Sequence, residues 1–490
     1  MEEKPKNLWK DIDYYKYQVH ATISIIDSRD ADERIVYIKD LEKRKQVYGI
    51  CGECNEPGTG NRWCQPCNAK RFKDDFKNWT SENKDIDEFI QQSQLNAVHH
   101  TKCLEWIPFE KFQNITYIAE GGYGRIYSAE WPEGYIKYWD IENLKWCRYQ
   151  KYDKYALKSL NNSTNLSSDF LHEIKSHLQI YLFNVVRCFG ITQNPNTKAY
   201  MMVLKYCKNG NLRDYLNNSE EYIDYKTKIY KLFFISRGLL DIHNAGKVHK
   251  DFHSGNILFF YSTPFISDLG MCQTVNKQST EEVGICGVLP YMAPEVLCGH
   301  QYTQASDIYS FGIIMNEFLS EETPYNDISH DELLAVKICK GLRPEISKNI
   351  PKLLADLIMK CWDAEAKNRP STKDLYQILK KWKDEIKDES TELYFQIKEY
   401  DKISKREFKK RLDKYSKTKN IQTHPQAIYT SRHLNLNNLP EPVNSSNLSF
   451  LDVNNNIQST SANLISECFD VQLSELELDE IYHDEKDVIN

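Results

Sequence analysis

Apolar residues fall irregularly among charges over residues 1–48, at Ile23, Ile26, Val36, Ile38, Leu41 and Val47, which predicts a short helical hairpin. Residues 49–70 are rich in Cys, Gly, Pro and Asn and read as a small loop-based unit. Between 71 and 95 the positions Phe72, Phe76, Trp79, Ile86, Phe89 and Ile90 mark an amphipathic helix broken near Thr80-Ser81. The character changes at Ile107-Pro108-Phe109, and β-type patterning follows at Ile115–Ile118 and Ile126–Ala129. Tyr155–Lys158 alternates as a strand, 170–182 reads as helix, and the run Tyr-Met-Met-Val-Leu-Lys-Tyr at 200–206 reads as a buried strand. From about 211 helical patterning dominates. Strands first and helices later predict a small β-rich lobe joined to a larger helical one.

The second lobe should end near Trp382, so the chain divides as 1–48, 49–70, a helical linker 71–106, a main domain 107–383, a charged helical extension 384–415 and a tail 416–490. The tail is rich in Asn, Ser and acidic residues, a composition that predicts disorder. Its last apolar patch, Leu464-Ile465 through Leu473, Leu476 and Leu478, is either solvated or folds on a partner. No internal repeat is present.

At 490 residues the chain readily buries a sizeable core, and 41% hydrophobic with 27% charged content describes a globular protein. A net charge of −7 argues against nucleic acid as partner, since positive charge concentrates only around Lys405–Lys419. No apolar run reaches ~18 residues, which argues against a membrane span, and the N-terminus lacks the apolar core of a signal peptide. A cytoplasmic location is expected, with the fourteen cysteines mostly reduced thiols.

Separated pieces of the chain carry phosphoryl-transfer chemistry. Gly121 and Gly124, in Glu-Gly-Gly-Tyr-Gly, suit a hairpin turn whose N–H groups approach phosphate without a Cβ in the way. Lys158 ends an alternating strand, and Glu173 follows on a helical segment. His249-Lys250-Asp251 runs on to Asn256, Asp268-Leu269-Gly270 follows, and Ala293-Pro294-Glu295 closes the set. In this order the motifs resemble the eukaryotic protein kinase family across roughly residues 109–383, within its tyrosine-kinase-like group.

The resemblance implies an α+β bilobal kinase fold and assigns roles. Lys158 would bind the α- and β-phosphates, held by Glu173; Asp251 would take or orient the acceptor proton; Asn256 and Asp268 would hold Mg²⁺, with Mn²⁺ as a stand-in. Around ATP it places Ala119, Gly121, Gly124, Ile126, Ala156, Leu204 as gatekeeper, Lys205 and Cys207 at the hinge, and Leu258. Asp307 would brace the catalytic loop and Arg369 would pair with Glu295, both structural; His249 reads as a core residue. Thr274, Ser279 and Thr280 are candidate phosphosites between Asp268 and Glu295.

The departures are Ala119 where the first loop glycine is usual, Leu269 for phenylalanine, and Lys250 for arginine, which removes a bidentate fork. His253 and Val288 replace the lysine and threonine that mark Ser/Thr kinases. The reading is transfer of the γ-phosphoryl of MgATP to protein hydroxyls, Ser/Thr first. The alternatives are a tyrosine or dual-specificity kinase and a nucleotide-binding pseudokinase or scaffold. Residues 131–152 lengthen the hairpin beyond the usual pattern and read as an extension away from the nucleotide.

Cys51-x-x-Cys54 and Cys64-x-x-Cys67 can each set two thiolates on one ion from a tight turn, which makes Zn²⁺ the expected metal. The other reading is a degenerate unit with reduced thiols. With zinc, its role would be protein interaction or a structural cap. His99-His100 and Cys103 resemble a second ligand set but stand too far along the chain to be preferred. The whole arrangement is similar to expanded kinase families of certain fungi, which join such a cysteine unit to a similar tail.

Overall fold

In this computed structural model the described residues are 6–14, 16–22, 34–121, 124–149, 154–160, 168–180, 183–219, 221–274, 285–415, 423–436 and 438–444. Among them no helix is long and apolar enough to cross a membrane.

Strand β1 (Leu8–Trp9) pairs antiparallel with β2 (Gly49–Ile50), which directly follows helix α1 (Leu41–Tyr48). The helical hairpin expected over 1–48 is not what the described residues form. The backbone of 18–22 is already committed: Gln18 N–H donates to Arg34 O (2.9 Å), Thr22 N–H to Val36 O (2.7 Å), and Ile38 N–H returns to Thr22 O (2.8 Å). Val36 and Val47 instead close a small core with Ile12, Ala21 and Tyr48, while Ile23 and Ile26 lie outside the described residues.

Helix α2 (Gln65–Asp75) starts at Cys64 with Pro66 in its first turn, where a missing N–H costs nothing. Helix α3 (Lys84–Leu95) is capped by Asn83, whose side chain accepts from Asp85 N–H and Ile86 N–H. Between the helices, Asp87 accepts from both the Thr80 and the Ser81 hydroxyls (2.6 and 2.5 Å).

The small lobe contains β3 (Glu105–Trp106), β4 (Gln113–Gly121), β5 (Gly124–Glu130), β6 (Tyr135–Asp140), β7 (Lys145–Tyr149), β8 (Tyr155–Leu160), helix α4 (Ser168–Gln179), β9 (Cys188–Gln193) and β10 (Tyr200–Lys205). Six of the strands form one sheet, in the order β3-β9-β10-β8-β5-β4, and β6–β7 is a separate hairpin. Alternate residues of β10 serve opposite faces: Met202 and Leu204 pack with Phe170 and Ile174 of α4, Met201 and Val203 with Trp131, Tyr155 and Phe189. Burial on both faces explains why 200–204 is a continuous apolar run.

Residues 71–106 do not behave as a linker. Ile86 and Ile90 of α3 belong to the same core as α4, and β3 pairs parallel with β9. That approach requires Gly190, where a Cβ would come within 2.0 Å of Glu105 O.

The large lobe comprises α5 (Leu212–Asn217), α6 (Tyr225–Asn244), β11 (Lys247–Val248), β12 (Ile257–Phe260), β13 (Thr263–Ile266), β14 (Gln273–Thr274), β15 (Ile285–Gly287), α7 (Pro294–Leu297), α8 (Gln304–Ser320), α9 (Glu332–Cys339), α10 (Lys352–Cys361) and α11 (Thr372–Glu385). Helices α6 and α8 are buried along most of their length and form its centre. The α+β, two-lobed architecture matches the expectation from the sequence. Helix α12 (Glu392–Tyr415) docks through buried Leu393 and Ile397, and its Asp401 accepts from Tyr222 OH (2.8 Å) and Tyr225 N–H (2.9 Å).

Residues 423–436 and 438–444, inside the stretch read as tail, also lie on this lobe, where β16 (Arg432–Leu434) pairs antiparallel with β15. The low apolar content averaged over the tail hides Leu434, Leu436 and Leu439, which pack on the large-lobe core.

Candidate active site

Register brings the small-lobe residues into place. Lys158 stands opposite Ile126 on β5 and Met202 on β10, near the middle of the sheet. Its ammonium is buried and donates to Glu173 Oε1 (2.9 Å) and to Asp268 Oδ1 (3.1 Å). Burial alone would lower the lysine pKa, but the two carboxylates outweigh it and raise it. Burial likewise works against Asp268, yet the Lys158 charge and hydrogen bond, with help from His249 and Gly270 N–H, hold its carboxyl below the usual range. For Glu173 burial wins and its pKa is raised despite the same lysine. The one ammonium is thus shared by two carboxylates that burial and the lysine charge drive in opposite directions.

Across the cleft, Asp251 is almost fully buried, and its Oδ1 has no hydrogen-bond partner. Asn256 Nδ2 donates to Asp251 O (2.9 Å) and stands 3.4 Å from Oδ2, which places both amide and carboxylate at one end of the loop. On this loop Lys250 has φ 71°, and beyond β13 Asp268 has φ 57°, both in the left-handed region that non-glycine residues seldom occupy. Asp307 supports the loop by accepting from the N–H groups of His249 (2.8 Å) and Lys250 (3.1 Å) and by pairing with His243 Nε2 (2.9 Å). Arg369 meets Glu295 through two 2.7 Å bonds, a bidentate fork that ties α7 to the rear of the lobe.

A cleft beside Asp251 is lined by His253, Val288, Tyr291, Met292 and Ala293 among others. Ser254 links it to the lobe centre, bonding Tyr291 OH (2.9 Å) and Glu317 Oε1 (3.0 Å) and accepting from Arg213 Nε (2.9 Å).

The apolar residues expected around a base also converge. Ala156 lies opposite Leu204, and Ala156 and Leu258 pack against the cluster that contains Leu204 and Cys207. Ala119 pairs with Ile126, and Gly121 with Gly124 at the hairpin end; Gly122 and Tyr123 lie outside the described residues. The Lys205 side chain covers Phe260 and Phe265 (4.4 and 3.6 Å to the ring centroids), and burial pushes its pKa down to about 8. Thr274 is exposed on β14; Ser279 and Thr280 lie outside the described residues. His249 is fully buried and meets Ser267 O at 3.0 Å, as a core residue would. Lys250 reaches Gln273 and the Tyr302 ring.

The four cysteines converge: all Sγ atoms lie within 4.8 Å of one another, with Cys51–Cys67 at 3.9 Å and Cys54–Cys64 at 3.5 Å. A tetrahedral ion with ~2.3 Å metal–sulfur bonds has S···S edges of about 3.8 Å, so the thiols fit Zn²⁺. Hydrogen bonding from Cys64 pushes Cys51 towards thiolate, while burial and the Cys51 charge push Cys67 the other way. His99 is buried and His100 half-buried, both outside this cluster, with Arg187 bonding His100 Nδ1 (3.0 Å).

One feature escaped the sequence reading. The β6–β7 hairpin, expected as an extension of unclear role, lies on the cysteine unit: Trp146 stacks on Phe72 (4.8 Å) and Trp63 (5.8 Å), and Arg71 covers Trp139 (4.4 Å). The aromatic density of 131–152 was the available signal.

Residues 112–379 match the family model described as protein tyrosine and serine/threonine kinase. The chain is 29% identical over 286 residues to serine/threonine-protein kinase VIK of Arabidopsis thaliana, covering 56% of this chain and 61% of that protein. It is 28% identical over 257 residues to RGS domain-containing serine/threonine-protein kinase A of Dictyostelium discoideum, covering 52% of this chain and 21% of that protein. Over 225 residues it is 28% identical to serine/threonine/tyrosine-protein kinase HT1 of Arabidopsis thaliana, covering 46% and 57%. The chain thus spans less than two thirds of each of these relatives.

Proposed function

Because the chain belongs to the protein tyrosine and serine/threonine kinase family, we propose that it transfers the γ-phosphoryl group of MgATP to protein hydroxyls, principally those of serine and threonine. The observation that carries this reading is the buried Lys158 ammonium held between Glu173 and Asp268, facing an Asp251–Asn256 pair with an unpartnered carboxylate oxygen.

Lys158 positions the α- and β-phosphates, and Glu173 fixes the lysine. Asp268 and Asn256 would hold Mg²⁺, which would supply positive charge against the phosphoryl group in transfer. Asp251 Oδ1 accepts the proton of the attacking hydroxyl as the new O–P bond forms and ADP leaves. Ala119, Ile126, Ala156, Leu204 and Leu258 enclose the adenine, and the hinge backbone at Lys205–Cys207 reads its edge. Names of the relatives support Ser/Thr as acceptor, and the name of HT1 leaves tyrosine as the second acceptor class.

The four-cysteine unit holds one structural Zn²⁺ and serves as a cap on the small lobe or a protein contact. Reduced thiols fit a cytoplasmic setting. Phosphate transfer from γ-labelled ATP with Mg²⁺ to a generic basic protein, run beside Asp251→Asn with phosphoamino-acid analysis, tests the reading. Label on Ser/Thr that vanishes in the mutant is the expected result; label equal to the mutant overturns it.

A further inference from the structure

Residues 423–436 cross the large lobe beside Ser254 and β15 as a strap. His330 N–H donates to Gln426 O (3.0 Å), the Tyr429 ring stands edge-on to His330 (4.8 Å), and Tyr429 OH donates to Pro324 O (2.9 Å). Arg213 Nη2 donates to Tyr429 O (3.3 Å) while its Nε holds Ser254, three residues beyond Asp251. Arg432, His433 and Leu434 then pair with Gly287, Cys286 and Ile285. Gly287 precedes Val288, which lines the cleft with Asp251. Thr430 and Ser431 join the Tyr429 contact with Arg213 to the pairing with β15, so the strap passes between the residue that holds Ser254 and the strand that leads into Val288. Leu434 is buried in the large-lobe core, and beyond it Val443 N–H donates to Cys339 O (2.9 Å).

A segment added edge-on to a strand is held by its main chain, which is sequence-tolerant, and selected by the alternate side chains that enter pockets. We propose that residues 423–436 are an autoinhibitory strap: held in cis on the β15 edge, Arg213 and the pocket that takes Leu434, they block an extended segment of the protein substrate from reaching Asp251. The substrate class follows from the occupant: a hydroxyl residue followed three or four positions later by a leucine-sized apolar residue. This rests on the kinase reading above, since only a protein substrate needs to approach Asp251 from this side.

The test uses the full chain. Leu434→Asp removes the buried anchor; His433→Pro disrupts the pairing from an exposed position and leaves the core intact, so it stands in if the first variant fails to fold. Expected is faster amide exchange over 429–436 and about a tenfold lower KM for a generic basic protein, with the KM for ATP unchanged. A synthetic peptide of residues 424–436 should inhibit the variant competitively against the protein substrate and not against ATP. Unchanged protein KM in a variant whose strap exchanges faster overturns the proposal, as does non-competitive inhibition by the peptide. If no phosphoryl transfer is found at all, the kinase reading fails by itself. The surface is then judged by anisotropy of the labelled peptide on the variant: saturable binding lost in the wild type supports it, and no binding overturns it.

Discussion

The lysine–carboxylate cluster and the four-cysteine cluster are both gatherings of ionisable groups, built in opposite ways. Glu173 and Asp268 lie 15 and 110 residues beyond Lys158, whose buried ammonium bonds both carboxylates. The thiols come from a single stretch between Cys51 and Cys67 and carry no cation among them. A long-range cluster needs the whole fold to hold it, and its cation is supplied by the chain itself. A local cluster of four thiols forms from tight turns and depends on an ion to satisfy it. The first is therefore expected to respond to single side-chain changes in its function, and the second to metal in its folding.

The largest effect should come from metal removal. Binding free energy of structural zinc in small cysteine units is about 10–16 kcal/mol at neutral pH, and it acts as folding energy. One zinc per chain is expected, and a chelator or Cys64→Ser should strip hydrogen-exchange protection from residues 49–75 while that of β8 and β10 persists. A metal-free chain with full protection over 49–75 would erase the contrast between the two clusters.

Next in size is Asp251→Asn, which is close to isosteric and removes the proposed proton acceptor. A drop in kcat of about 10³-fold, ~4 kcal/mol, with little change in KM for ATP is expected. A loss confined to KM would make Asp251 a binding residue. A smaller effect tests how separate the regions are. Trp146→Ala removes the ring stacked on Phe72 and Trp63, and because the ring is partly exposed a cost of about 2 kcal/mol is expected, below the ~3–5 of a fully buried one. Calorimetry should show the loss as a lower Tm; an unchanged Tm would make the cysteine unit an appendage of the small lobe.

The proximity of Lys158, Glu173 and Asp268, and of Asp251 and Asn256, was legible because phosphoryl transfer demands given residue types at given spacings. The cysteine site was legible for the same reason, its spacing being set by turns. What joins the regions was not. Trp146 meets Phe72 across more than seventy residues with no period to announce it, and Lys102 reaches Ile180 O through a single buried ammonium. Leu434 was lost in the average composition of a polar tail. The hairpin predicted at the N-terminus failed because bridges between 18–22 and 34–38 take the hydrogen bonds a second helix would have used. Lys205 shows a subtler limit: its place in the strand was readable, while the turn of its side chain onto Phe260 and Phe265 depended on tertiary contacts.

The smallest effect places one probe in each region. His20, bonded near the cysteine unit to Ala21 O, and His177, one helical turn beyond Glu173, are both buried and pushed down to about 3. In each case burial is the main cause, aided by a nearby ammonium, Lys102 for His20 and Lys158 for His177. An unfolded histidine titrates near ~6.5, so between that value and about 3 the unfolded chain binds the extra proton and the folded one does not. Stability is thus full above ~6.5 and declines as pH falls through this window, each imidazole adding at most about 1.4 kcal/mol per pH unit. Denaturant midpoints between pH 7 and 5 should fall, with His20→Gln and His177→Gln each flattening the slope. If the two regions unfold together, both substitutions flatten one common transition. If the cysteine unit melts first, His20→Gln changes only the early phase and His177→Gln only the late one, and the long-range and local clusters are then separate cooperative units.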